Sequence, residues 1–134
     1  MTTATNVLLV AGMANLIVGA LTGIPMANVR QAGADVVPKY LTMAHMAGLM
    51  QGPILIAIAF ALTTSTMTAW LNTAAAVILA VASALLIIKD TVNWRQGVTD
   101  EFAQQSLGLS IGKVFGPLFI VGLGLATAGV ISGL

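Results

Sequence analysis

AHMAGLMQGPILIAIAFAL, residues 44–62, is the stretch that decides the fold class of this chain. It contains no Asp, Glu, Lys or Arg, and its only strongly polar side chains are His45 and Gln51. A helix of about 20 mostly apolar residues crosses a hydrocarbon layer of about 30 Å. A membrane-spanning helix is therefore predicted over residues of about 42–62, with the histidine near its beginning.

The rest of the chain has the same membrane-like composition. Of its 134 residues, 58% are hydrophobic and only 7% are charged, whereas soluble domains carry about 25% charged residues. The apolar runs are continuous rather than alternating, which favours helices over a β-barrel. We predict an all-α membrane protein, a four-transmembrane-helix bundle that forms one domain over residues 1–134. The predicted spans are about 6–24, 42–62, 69–88 and 111–132.

The connections between these spans predict an orientation. Residues 63–68 are uncharged and few, so the second and third spans should form an antiparallel hairpin. The connections at 25–40 and 89–110, with Lys113 just beyond, carry all five Lys and Arg residues. The positive-inside rule places both connections in the cytoplasm and both termini across an inner (cytoplasmic) membrane. The N-terminus lacks the basic region of a cleavable signal peptide.

Small residues recur at a spacing of four on several predicted helices. Such faces let helix backbones approach closely, which is how helices associate in lipid. Because four short helices offer a limited internal interface, we expect some of these faces to serve a homo-oligomer. On the first two spans they are Ala11, Asn15, Gly19 and Gly23, then Ala44, Gly48 and Gly52.

His45 is the only histidine and the strongest candidate for a chemical site. Ionisable groups in membrane helices are functional candidates, and imidazole is the commonest metal ligand. The alternative is a histidine at the headgroup level that bonds only to backbone or water. Gly48 and Gly52 share its face, and would leave an opening for a planar ligand such as a porphyrin or for a close neighbouring helix. Because the chain has no cysteine, one histidine cannot build a zinc site. A haem held by it would keep an open coordination position unless a symmetry mate or another residue closed it.

Gln51 and Asn15 are amides in otherwise apolar spans. Each can hydrogen-bond a substrate heteroatom, or instead make an interhelical hydrogen bond worth about 0.6 kcal/mol on average. We take both as candidate catalytic residues. Met43, Met46 and Met50 are interpreted as core packing rather than as soft metal ligands.

The charged connections supply the remaining candidates. Three basic residues can pair with haem propionates, or can serve only as topology signals. These candidate cofactor-binding residues are Arg30, Lys39 and Arg95.

Other residues near these connections receive plainer interpretations. Tyr40 and Trp94 are expected to anchor the helices at the membrane interface. Lys89 and Asp90 are interpreted as a solvated surface pair. No acid lies inside a predicted span, which argues against a proton-coupled exporter. There is no hydrolase triad or nucleotide-binding loop, and no basic cluster predicts nucleic-acid binding.

The His45 segment resembles a known family. In length, four-span layout and residues 44–53, the whole chain resembles the small form of hydroxylaminobenzene mutase, a membrane enzyme of nitroarene degradation. The segment is also similar to the helix of styrene oxide isomerase that carries its haem-ligating histidine. In that helix an amide follows six residues after the histidine, and a glycine comes next. Here these residues are His45, Gln51 and Gly52, with glutamine in place of asparagine.

The resemblance implies haem b with His45 as its axial ligand, iron acting as a Lewis acid, Gln51 near the substrate and a trimeric assembly. The isomerase also uses a tyrosine at the end of its third helix, whereas the only tyrosine here is Tyr40, so that role is not carried over. The expected function is the rearrangement of hydroxylaminobenzene to 2-aminophenol. A non-enzymatic membrane haem-binding or electron-transfer subunit and a small transporter are the alternatives.

Overall fold

The chain folds into four long α-helices without any β-strand. A computed structural model describes all residues, 1–134. A single 3-10 turn at Leu62–Thr64 extends the second helix into the short connection before the third. Each long helix is long and apolar enough to cross a membrane. The helices are α1 (Thr3–Gln31), α2 (Lys39–Ala61), α3 (Ala69–Arg95) and α4 (Leu107–Ser132).

Local sequence signals fix several of the helix beginnings. The hydroxyl of Thr2 accepts a hydrogen bond from the Thr5 amide at the start of α1, and the hydroxyl of Ser106 accepts one from the Leu109 amide at the start of α4. Each satisfies a backbone donor that the first turn leaves free. Pro38 comes directly before α2, where a missing amide hydrogen costs nothing.

The helices extend beyond the predicted spans at the charged end of the bundle. The connection predicted at 25–40 is only residues 32–38, and Pro25 and Arg30 belong to α1. Likewise α3 continues through Lys89 and Asp90 to Arg95, so the connection predicted at 89–110 is 96–106. Hydropathy marks where the apolar side chains end, but the backbone hydrogen bonds of a helix continue past the first charged residues.

The bundle is built from two tightly packed pairs, α1 with α2 and α3 with α4. The buried apolar core lies towards the uncharged end, near the termini and the 63–68 turn. At that end Thr66 donates a hydrogen bond to the Ser132 carbonyl at 2.8 Å, which ties the turn to α4. The core residues are Ala4, Leu8, Leu55, Ala59, Leu62, Ala76, Leu79 and Ala126.

Glycines bring α1 and α2 into backbone contact. A Cβ atom on Gly48 would lie 2.6 Å from the Gly19 Cα, and one on Gly52 would lie 2.9 Å from the Gly12 carbonyl oxygen. The space beside Gly48 and Gly52 is thus filled by α1. Two occupants were considered for the space beside these glycines, a planar ligand and a neighbouring helix. The neighbouring helix fills it, so the prediction of an opening for a planar ligand there is wrong.

The outer surface of the bundle is apolar. Met43, Met46 and Met50 are 37%, 48% and 56% exposed on α2, so their interpretation as core packing is also wrong. Long apolar side chains of α1 such as Val10 and Ile17 are exposed in the same way. A lipid bilayer is the environment that such a surface fits.

Candidate functional site

His45 lies in the seam between α1 and α2, where an α1 carbonyl holds its imidazole. The Nδ1 atom lies 2.7 Å from the carbonyl oxygen of Gly19. The Thr22 hydroxyl donates to the same carbonyl at 2.6 Å and lies 3.4 Å from Nδ1. A carbonyl oxygen only accepts hydrogen bonds, so Nδ1 must carry the proton. In the neutral imidazole this arrangement leaves the lone pair on Nε2.

This arrangement is the one that metal-binding histidines commonly adopt. Such a histidine donates its other ring N–H to a backbone carbonyl or a carboxylate, which fixes the ring and its tautomer. Gly23 lies beside the ring, where a Cβ atom would make an ordinary van der Waals contact with the imidazole Cε1 at 3.6 Å. No group of three or more His, Cys, Asp or Glu side chains stands ready to bind a metal ion.

Gln51 and Asn15 lie deep in the bundle. Gln51 is 8% exposed and Asn15 is 6% exposed. The Gln51 Oε1 and the Asn15 Nδ2 are both buried without a hydrogen-bond partner. Those two atoms therefore do not make the interhelical bond considered for them. Gln51 is not beside the imidazole either, because six residues along a helix correspond to about 9 Å of rise and about 240° of rotation.

The three basic candidates lie at the charged end of the bundle, and each contacts residues close to it in sequence. Arg30 donates to the carbonyl oxygens of Ala34 and Asp35, which closes the loop after α1. The other two side chains lie over aromatic rings of the residue next to them. The Lys39 Nζ is 5.1 Å from the Tyr40 ring centroid, and the Arg95 guanidinium is 4.9 Å from the Trp94 ring centroid.

A buried polar cluster, which the sequence did not reveal, joins α2, α3 and the 96–106 loop. The Lys89 Nζ lies 3.0 Å from Asp90 Oδ1 and 3.0 Å from both carboxylate oxygens of Glu101. The Asn93 amide donates to Glu101 at 2.8 Å, and the Glu101 backbone amide donates to the Tyr40 hydroxyl at 3.0 Å. Glu101 thus fastens the loop to two helices.

This cluster overturns two sequence interpretations. Asp90 is 1% exposed and Tyr40 is 2% exposed. Asp90 is therefore not half of a solvated surface pair, and Tyr40 is not an interface anchor. Because Asp90 belongs to α3, the argument against a proton-coupled exporter from the lack of an acid in a span also fails.

The sequence does contain a pattern that fits this cluster, but the pattern can be interpreted only once the pairing of α3 with α4 is known. Lys89 and Asn93 are four residues apart on α3, and Gly108 and Gly112 are four apart on α4. A Cβ atom on Gly108 would clash with the Asn93 side-chain amide, and one on Gly112 would lie 3.0 Å from the Lys89 Cδ. These glycines make room for polar side chains rather than for a helix backbone.

Replacing Tyr40 by phenylalanine is expected to lower the free energy of unfolding by about 1 kcal/mol, because the Glu101 amide loses its acceptor. Thermal unfolding in detergent, followed by helical circular dichroism, measures the change. Trp70→Phe is the matched control, since Trp70 is an exposed aromatic residue at the other end of α3. Equal midpoints for the two variants would show that the Tyr40 hydroxyl contributes nothing.

No protein-family model matches the chain, and neither the curated proteins nor the solved structures gave a match.

Proposed function

We propose that the protein is an intramolecular hydroxyl-transfer isomerase that converts hydroxylaminobenzene to 2-aminophenol. The N–O bond breaks, a C–O bond forms at the ortho carbon, and the ortho hydrogen leaves as a proton while nitrogen gains one. Substrate and product have the same composition, so no oxidant, reductant or net water is needed. The observation that carries the proposal is the His45 imidazole, whose Nδ1 is held by the Gly19 carbonyl.

His45 is the residue that would hold a haem b. Its Nδ1 hydrogen bond to Gly19 keeps the ring in one orientation and makes Nε2 a better donor to a metal. A bound haem supplies a Lewis acid that polarises the N–O bond without net electron transfer. Arg30, Lys39 and Arg95 lie at the same end of the bundle and are the basic residues proposed to face the propionates.

The other residues control where the hydroxyl group goes. The bundle around Gln51 and Asn15 is apolar, which keeps bulk water from capturing a cationic aromatic species. The two amides are proposed to orient the substrate nitrogen and oxygen. This confinement favours return of oxygen to the near ortho carbon over release to solvent.

Replacing His45 by alanine tests the proposal. The wild-type protein, purified in detergent from cells that make haem, is expected to show a haem absorption band and to form 2-aminophenol. His45→Ala is expected to lose both, because the ligand is gone. Met46→Ala is the matched control, since Met46 is an exposed neighbour on the same helix. Turnover by a wild-type protein without haem or metal would contradict the iron mechanism, and an unchanged band in His45→Ala would contradict the ligand.

The spectrum also separates the alternatives. A six-coordinate low-spin haem without turnover would favour an electron-transfer subunit. A colourless, inactive protein would favour a small transporter, for which the buried Asp90 of α3 is the observation in support.

We further propose a homotrimer in the inner membrane, with residues 32–38 and 96–106 on the cytoplasmic side. The resemblance supports the trimer. The position of all five Lys and Arg residues at one end of the bundle supports the orientation.

A further inference from the structure

A groove between α1 and α3 opens onto the outer surface of the bundle. Its volume is about 410 Å³. Its walls are mostly apolar side chains, with Asn15 on α1 and Thr91 on α3 as the polar members. An engineered apolar cavity of about 150 Å³ already binds benzene. The groove therefore has room for one substituted aromatic ring or for two fused rings.

Two unpartnered amides lie at the level of this groove. The α1 stretch from Gly12 to Gly19 faces the α2 stretch from Gly48 to Gly52, because Cβ atoms on those α2 glycines would meet its backbone. Asn15 and Gln51 lie within these facing stretches, and each is more than nine-tenths buried. The Asn15 Nδ2 has no acceptor, and the Gln51 Oε1 has no donor.

Such unpartnered atoms are costly in the interior of a membrane protein. Native structures contain few such atoms, because a buried donor or acceptor without a partner carries an uncompensated desolvation penalty. A lipid acyl chain in the groove has no hydrogen-bonding group, so it leaves the Asn15 amide unsatisfied. A hydroxyl group can both donate and accept, so it can hydrogen-bond that amide whichever way the amide is turned.

We propose that this groove binds small uncharged aromatic molecules that carry one hydroxyl group, which Asn15 recognises while the ring fills the groove. The inference rests on the proposed function for the identity of the natural ligand, an aryl hydroxylamine that enters from the lipid. Gln51 and His45 do not line the groove. His45 lies close by, because Asn15 is one helical turn from Gly19, whose carbonyl holds the imidazole.

The test compares benzyl alcohol with toluene, which has the same ring without the hydroxyl. Binding of each to the full chain in detergent is measured by saturation-transfer NMR, which suits weak ligands. The preference for benzyl alcohol is expected to fall by about three- to tenfold in Asn15→Leu, as one hydrogen bond is lost. Partitioning into detergent cancels, because the same ratio is compared between proteins.

A pair of variants locates the site. Ala84 lines the groove and is exposed, so Ala84→Trp is expected to abolish binding of both ligands. Ala57→Trp, at an exposed position of α2 away from the groove, should leave binding intact. An unchanged preference in Asn15→Leu, or full binding by Ala84→Trp, would overturn the proposal. Binding needs neither iron nor turnover, so its outcome does not depend on whether the proposed isomerase activity is found.

Discussion

Replacement of Lys89 by methionine is expected to lower the free energy of unfolding by about 3–5 kcal/mol, the usual cost of removing one partner from a buried charge pair. The Lys89 Nζ lies 3.0 Å from carboxylate oxygens of both Asp90 and Glu101. Methionine fills nearly the same volume but leaves the two carboxylates facing each other without a cation. Asp90 is 1% exposed, so water cannot replace the lost charge. Unfolding in detergent, followed by helical circular dichroism, measures the loss.

Lys113→Met is the matched control, because Lys113 is exposed on α4 and makes no ion pair. Its unfolding midpoint is expected to stay at the wild-type value. Combining Lys89→Met with Asp90→Asn and Glu101→Gln should recover much of the stability, since no buried charge then remains. Equal midpoints for Lys89→Met and Lys113→Met would mean that the cluster does not hold the charged end together.

The second large effect is expected from Gly48→Ala. The added methyl group would lie 2.6 Å from the Gly19 Cα, 2.7 Å from the Gly19 nitrogen and 2.8 Å from the Asn15 carbonyl oxygen. All three are backbone atoms, which cannot rotate away, so α1 and α2 must separate. Overpacking of this kind costs about 1–3 kcal/mol. The same separation would lengthen the Nδ1 hydrogen bond of His45 to Gly19, so a weaker haem band is expected if the proposed ligation is right.

Gly124→Ala provides the comparison. A Cβ atom at Gly124 would meet nothing within 4 Å, and alanine is a better helix former than glycine by about 1 kcal/mol. That variant is expected to be as stable as the wild type or slightly more stable. If Gly48→Ala unfolded at the same temperature as Gly124→Ala, the close contact between α1 and α2 would not exist in the folded protein.

The number of helices could be predicted from sequence, but their ends at the charged side could not. Four long apolar runs leave little choice in lipid, since only a helix satisfies its own backbone there. Arg30, Lys89 and Asp90 end the apolar runs without ending the helices. Whether such residues continue a helix depends on partners from distant parts of the chain, as Glu101 shows for Lys89.

The candidate site also has features that could be predicted from sequence and features that could not. His45 could be singled out because it is the only histidine, whereas its partner Gly19 could not, because that contact depends on how α1 and α2 align. The same alignment decides that Gly48 and Gly52 serve helix packing. Gln51 could be identified as a buried polar residue. Its side chain leaves α2 on a different face from His45, however, because six residues along a helix correspond to about 240° of rotation.

The two ends of the bundle differ in a way that bears on how the chain enters a membrane. The end that carries the termini and the 63–68 turn contains no charged side chain, and its polar groups pair locally, as Thr66 does with Ser132. A charged side chain placed mid-membrane costs about 2.5–3.5 kcal/mol on insertion scales. In the orientation proposed above, the α2–α3 hairpin crosses the membrane as one unit without carrying a charged side chain. The membrane potential therefore has no charged side chain to act on at the translocated end of the bundle.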